Sequence, residues 1–177
     1  SARAYHAPVA ALSANYGAYA LVVEPAGAGE PARVRVDPPV PYLRVLSQAR
    51  TGARGSAPSL AVSRRPGEGF ERVVVTGSLP AGAEPEVFWL SVLDPLGYAA
   101  SVFALQLAAN GITLAEAPRE GPAPGEGVVL HEFEGKDMGE LLRLLGKYSS
   151  NFIAESLVNA MGRRAFGGAG GWEGGTE

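Results

Sequence analysis

The sequence predicts an α+β chain in which a β-rich module runs into a mainly helical end. Three observations carry this. Short apolar or alternating runs recur at hairpin-like spacing from about 16 to 90, punctuated by Gly and Pro. Asp94-Pro95 then opens a segment whose apolar residues return with the helical period. Two further short amphipathic runs, 138–145 and 152–161, flank Tyr148-Ser149-Ser150-Asn151. At 177 residues the chain makes one domain or two small ones and can bury a real core.

In chain order, Pro8 forces Ala7 towards extended geometry, so 1–16 reads as extended chain or a short strand. Residues 18–24, rich in Val, Leu and Tyr, read as a strand, and 25–31 as a Gly/Pro turn. Arg33-Val34-Arg35-Val36 alternates as a half-buried strand until Pro38, Pro39 and Pro41 forbid ladder pairing. Strands are expected at 42–46, 59–64, 72–76 and 86–90. Between them lie a polar loop at 48–56, a Pro66-Gly67 turn and a turn at 79–85.

Asp94 is placed to cap a helix with Pro95 at its first position, and Gly111 to end it. Leu96, Ala99, Ala100, Phe103 and Leu107 form its expected inner face, widened by Val102 and Leu105. A Pro/Gly connector at 119–127 leads to an expected strand at 128–133. Asp137 with Glu140 resembles a capping box, opening a helix that carries Met138, Leu141, Leu142 and Leu145 inward. Phe152, Ile153, Leu157, Ala160 and Met161 form one face of a last helix. The Gly-rich end, 162–177, has Phe166 and Trp172 as candidate anchors. The expected organisation is 1–15, 16–135 with one long helix at about 95–110, and 136–177.

Composition excludes several function classes. Hydrophobic content of 46% against 19% charged is that of a folded chain, not a disordered one. A net charge of −3 without a visible basic stripe argues against nucleic acid as a partner. No apolar run is long enough to span a bilayer. The absence of cysteine removes disulfides and thiolate metal sites. Ser1-Ala2-Arg3-Ala4 carries no signal-peptide core and no initiator Met, so a mature, trimmed or excised segment is expected.

The chemistry-bearing candidates are few. His131-Glu132-Phe133-Glu134, read as a strand, puts His131 and Phe133 on one face and both Glu on the other, a surface strand end rather than a metal site. No Gly-x-Ser-x-Gly nucleophile elbow occurs, a triad built on His6 or His131 stays open with nothing to select it, and the Gly-rich tail has no Gly-Lys-[Ser/Thr] for phosphate. Ser149-Ser150-Asn151 remains. Ser and Asn before a helix usually cap it by accepting its first free N–H groups. The competing reading is that Ser149 and Asn151 line a cleft as the Ser-x-Asn element of a penicilloyl-serine transferase, which works with Ser-x-x-Lys and Lys-Thr-Gly.

The ordered blocks of the chain resemble one family. Tyr5-His6-Ala7-Pro8-Val9-Ala10-Ala11-Leu12-Ser13-Ala14-Asn15 is similar to an Ala-Pro-Val-Ser-Ala-Leu-Ser block of the DacB-type D-Ala-D-Ala carboxypeptidase/endopeptidases, the low-molecular-mass class C penicillin-binding proteins. Leu60-Ala61-Val62-Ser63-Arg64 and Val73-Val74-Val75-Thr76-Gly77-Ser78-Leu79-Pro80 resemble strands of that family's inserted domains. Asp94-Pro95, then Ala104-Leu105 to Gly111-Ile112, resembles its return helix. Leu141-Leu142-Arg143, continuing to Lys147-Tyr148-Ser149-Ser150-Asn151-Phe152-Ile153-Ala154-Glu155, resembles its Ser-x-Asn helix pair.

The resemblance implies β-rich inserted domains joined to a partial, mainly helical piece of a transpeptidase-like domain. It implies an acyl-enzyme reaction: an activated serine attacks the carbonyl of the penultimate D-Ala, the terminal D-Ala leaves, and water releases the acyl group. Ser149 would relay a proton from a lysine to the leaving nitrogen, and Asn151 would orient substrate and that lysine. Peptidoglycan stem peptides and β-lactams are the implied partners, with no cofactor or metal and an extracytoplasmic, periplasmic-type location. A homo-oligomer stays open.

The chain also departs from the pattern. Its two lysines follow Phe133 and Leu144 at the third position, so neither completes Ser-x-x-Lys, and neither precedes Thr-Gly. Arg50-Thr51-Gly52 comes before Ser149, out of order, and reads as part of the polar loop. Nucleophile and base are therefore expected upstream of Ser1 and the Lys-Thr-Gly strand downstream of Glu177. Two rivals stand beside this: a non-catalytic β-rich binding or spacer module contacting peptidoglycan or a partner protein, and an unrelated β-rich domain whose Ser-Asn only caps.

Overall fold

A computed structural model describes residues 8–121 and 128–167. The expectations for Tyr5-His6, for residues 122–127 of the connector and for Trp172 lie outside these. The chain forms two units, Ser1–Ala115 and Glu116–Glu177.

In the first unit β1 (Ala18–Glu24) is the middle strand of an antiparallel sheet, between β2 (Arg33–Asp37) and β8 (Glu86–Ser91). Five consecutive residues of β1 are buried, which explains its nearly continuous apolar run. β2 is an edge strand and alternates exposed and half-buried residues. In a second sheet β6 (Phe70–Thr76) lies between β3 (Leu43–Ser47), parallel to it, and β5 (Ala61–Gly67), antiparallel. Tyr19, Leu21 and Val23 of β1 join Val73 and Val75 of β6 in one core with Leu43, Leu79, Leu90, Val92 and Tyr98. Each fully buried Val or Leu contributes about 1.5–3 kcal/mol to that core.

The hairpin between β5 and β6 turns at Glu68-Gly69, not at Pro66-Gly67. Pro66 and Gly67 are strand residues, and proline is tolerated because β5 lies at a sheet edge. The polar loop expected at 48–56 contains a strand: β4 (Arg50–Gly52) pairs in parallel with β7 (Ser78–Pro80). Thr51 is buried there, and its Oγ1 accepts a hydrogen bond from Ala26 N at 2.8 Å. Gly77, just before β7, has φ +90°, and a Cβ on it would meet the Ser59 carbonyl oxygen at 2.0 Å. Residues 8–14 form no strand and lead into a 3-10 turn at Asn15–Gly17.

α1 (Pro95–Ala109) starts as expected: Asp94 Oδ1 accepts from Leu96 N at 3.0 Å and Gly97 N at 3.1 Å. It ends in a Schellman pattern, with Gly111 N donating to Ala108 O and Ile112 N to Leu107 O, and Gly111 at φ +77°. Its inner face differs from the expected one. Tyr98 and Ala99 are buried and Val102 and Leu105 pack on the core, whereas Phe103 is 60% exposed. The segment is apolar almost all round, so periodicity alone places the face poorly.

In the second unit, 128–133 is not a strand. It is irregular and exposed, Val128 and Leu130 at 87% and 94%. A strand needs a ladder to join, and no strand lies among the described residues of this unit. The helices are α2 (Met138–Tyr148) and α3 (Asn151–Phe166). On α2, Leu141, Leu144 and Leu145 are half-buried, while Met138 and Leu142, expected inward, are exposed. On α3, Ile153 is buried and Phe152 and Leu157 half-buried, while Ala160 and Met161 are exposed.

Candidate functional site

The α2–α3 corner is built from two caps. Asp137 Oδ1 accepts from Glu140 N at 2.7 Å and starts α2. The Glu140 carboxylate pairs with Lys136, so the reciprocal half of a capping box is replaced by an ion pair. α2 ends at Ser149, which adopts the left-handed conformation at φ 50°, ψ 46°. Serine is disfavoured there relative to glycine, because its Cβ crowds the following carbonyl. The left-handed residue reverses the chain, and α3 begins two residues later.

Ser150 is the N-cap of α3. Its Oγ accepts from Ile153 N at 3.4 Å, and its carbonyl from Ala154 N at 3.1 Å. The capping role expected of this tripeptide thus falls to its middle residue. Ser149 is exposed on one side of that cap, and Asn151, the first residue of α3, is exposed on the other. The ammonium of Lys147 lies 5.0 Å from the Tyr148 ring centroid, a cation–π contact beside the same corner. A hydroxyl and a carboxamide separated by one residue, outside the cap bond itself, can donate to and accept from a bound polar group.

His131, Glu132 and Glu134 are exposed on the irregular segment 128–137, so the alternation expected of them does not occur. Arg50-Thr51-Gly52 belongs to the first unit, as strand β4.

The sequence reading missed a polar cluster in the core of the first unit. Glu71 is fully buried. Its Oε1 accepts from Tyr19 Oη at 2.8 Å and pairs with Arg64 Nη1 at 3.3 Å, and its Oε2 accepts from Leu93 N at 2.9 Å. Arg64 Nη2 reaches Ser91 Oγ at 3.5 Å, and Arg64 Nε is buried without a hydrogen-bond partner among the described residues. The signal lay in strand parity: Glu71 shares its face with Val73 and Val75, so a carboxylate stands in an inward register.

Two more tyrosines complete the polar core. Tyr42 Oη accepts from Asp94 N at 3.1 Å; Tyr98 Oη accepts from Asn15 Nδ2 at 3.1 Å and donates to Ala18 O at 3.1 Å. Burial pushes the Tyr42 phenol up to about 12 and raises Tyr98 as well. Tyr19 is raised furthest, by burial first and then by the Glu71 charge. These groups join β1, β5, β6, β8 and the entry to α1; their role is to hold the unit together.

Comparison with known proteins places the chain. The model of the D-Ala-D-Ala carboxypeptidase 3 (S13) family matches residues 1–177. A D-alanyl-D-alanine carboxypeptidase of Actinomadura sp. (strain R39) is 34% identical over 181 residues, covering 97% of this chain and 33% of that protein. The chain therefore spans about a third of the length of this relative. Penicillin binding protein 4 (dacB) from Haemophilus influenzae, complexed with a β-lactam, superposes with TM-score 0.77 at 23% identity over 97% of this chain and 39% of that one. The same protein without that compound gives TM-score 0.76 at 24% identity, over 99% and 39%. The α+β fold is shared with these structures.

Proposed function

The chain belongs to the D-Ala-D-Ala carboxypeptidase 3 (S13) family, and from that premise we propose that it is the middle part of a serine-type enzyme acting on peptidoglycan stem peptides outside the cytoplasm. The reaction is a two-step acyl transfer, with carboxypeptidase and endopeptidase outcomes differing only in the leaving amine. The nucleophilic serine and its lysine come from parts of the longer protein outside these residues, and β-lactams acylate that serine. Residues 136–177 contribute to the transpeptidase-like domain, and the β-rich part before them is the insertion.

Ser149 and Asn151 are the site residues of this reading. The Ser149 hydroxyl relays a proton to the leaving nitrogen. The Asn151 carboxamide orients the substrate and holds the lysine. The observation that carries it is the division of labour at the corner: Ser150 makes the cap bond, and Ser149, exposed beside it, is held in a left-handed conformation. Non-glycine residues in that region cluster at functional sites; Asn15 and Tyr16 share the conformation, so it supports the reading only together with the exposure of Ser149 beside the cap.

The test uses a fluorescent penicillin. In the full-length protein Ser149→Ala slows covalent labelling by about 10²–10⁴-fold, the range of a lost acid–base contribution. The 177-residue chain alone takes no label. Labelling of that chain, or an unchanged rate in the Ser149→Ala protein, removes the assignment.

A further inference from the structure

α1 ends at the one Asn-Gly pair of the sequence: of four asparagines only Asn110 is followed by glycine. Such a pair is chemically labile, because the glycine nitrogen, with no Cβ beside it, can reach the asparagine carboxamide. The Gly111 nitrogen gives up its proton and bonds to Asn110 Cγ. The Cγ–Nδ2 bond breaks, and Nδ2 takes up the proton and leaves as ammonia. Water then opens the cyclic imide at either carbonyl, giving aspartate or isoaspartate.

The helix end holds the reacting atoms out of position. Asn110 has ψ 16°. At that angle the Gly111 nitrogen nearly eclipses the Asn110 nitrogen, whereas the ring closes only when it eclipses Cβ. Asn110 Nδ2 donates to Gln106 O at 2.8 Å, which ties the leaving amide back along the helix. The Gly111 N–H donates to Ala108 O at 3.0 Å, so the attacking nitrogen has its proton engaged, and Ile112 N donates to Leu107 O at 2.9 Å. All three acceptors belong to the last turn of α1, so this guard is local and does not depend on what packs around it.

We propose that Asn110-Gly111 is a modification site gated by the end of α1: the closed end blocks imide formation, and deamidation of an opened end keeps it open. The product carboxylate has no N–H to give Gln106 O, and it sets a negative charge at a helix C-terminus, where the aligned carbonyls disfavour it. Isoaspartate also inserts a methylene carbon into the main chain before Gly111. That shifts the Gly111 and Ile112 N–H groups out of register with Ala108 O and Leu107 O. Loss of ammonia makes the step irreversible, so a transient opening becomes a covalent change. The inference does not rest on the proposed acyl transfer.

The experiment ages the full-length protein in mild alkali, folded and in urea. Mass spectrometry follows the exchange of amide for acid, and the isoaspartate content, in the peptide that carries residue 110. Conversion is expected in urea, and at least about tenfold more slowly in the folded protein, as for a group that reacts only after local opening. Ile112→Pro removes one donor of the helix end and leaves Asn110 and Gly111 in place. It is expected to raise the folded rate relative to its own rate in urea. Converted protein, separated from unconverted by its added negative charge, is expected to exchange the Gly111 and Ile112 amide hydrogens faster. If Ile112→Pro does not fold, the wild-type rates and the exchange comparison decide alone. No conversion at residue 110 in urea, equal rates folded and in urea, an unchanged ratio in folded Ile112→Pro, or unaltered exchange in the converted protein overturns the proposal.

Discussion

Glu71 has no exposed surface, yet it accepts from Tyr19 and Leu93 and pairs with Arg64. Taking both charges out of water costs several kcal/mol, and the attraction between them offsets this only while both are present. Glu71→Ala leaves Arg64 buried and uncompensated and orphans the Leu93 N–H. The expected loss is about 3–5 kcal/mol, read as a lower urea midpoint. A loss below about 1 kcal/mol would mean that water reaches the cluster and satisfies Arg64. The position was legible in principle, since a carboxylate in register with two valines is an anomaly in an amphipathic strand. Its partners were not legible, because Tyr19, Arg64 and Leu93 come from separate parts of the sequence.

The corner between α2 and α3 shows how far local grammar reaches. Asp94, Asp137 and the Ser-Ser-Asn tripeptide are all recognisable as helix boundaries, because capping depends only on residues within one turn. Which of the two serines caps is a matter of one residue of register. In the structure Ser150 does so. Ser150→Ala is accordingly expected to lower stability by about 1 kcal/mol with penicillin labelling per folded molecule retained, whereas Ser149→Ala changes stability little and slows labelling by about 10²–10⁴-fold. Circular dichroism melts of the two variants, run beside the labelling assay, distinguish them; equal destabilisation would return Ser149 to a purely structural role. Strand β4 lies at the other extreme. Thr51 alone favours a strand in Arg50-Thr51-Gly52, too little to signal one, and its partner β7 comes from residues 78–80, so a long-range ladder sets its conformation. Residues 128–133 show the converse: strong strand composition remains irregular where the described unit offers no ladder.

Across the first unit, three buried tyrosines make stability sensitive to alkali. Tyr42 titrates at about 12 when folded, against about 10 for an exposed phenol. Above about 10 the unfolded chain releases this proton while the folded one keeps it. The contribution of Tyr42 is therefore fully present below pH 10, is lost between about 10 and 12, and is constant beyond the folded value. Tyr19 and Tyr98 shift in the same direction and reinforce the fall. Melting midpoints measured from pH 8 to 12 should decline with a steepness that Tyr42→Phe reduces; a flat profile would show the phenols to be solvated. Six strands of the first unit (β1, β2, β3, β5, β6 and β8), the three helices, the caps at Asp94 and Asp137, the Gly111 stop and the family resemblance could all be read from one-dimensional information. Each depends on neighbours a few residues away or on ordered blocks. Folding in three dimensions was needed to pair β4 with β7, to choose Tyr98 over Phe103 for the core and to give Glu71 its partners. Those outcomes depend on contacts between distant residues, set by sheet register and burial, and no local pattern encodes which remote strand will supply the partner.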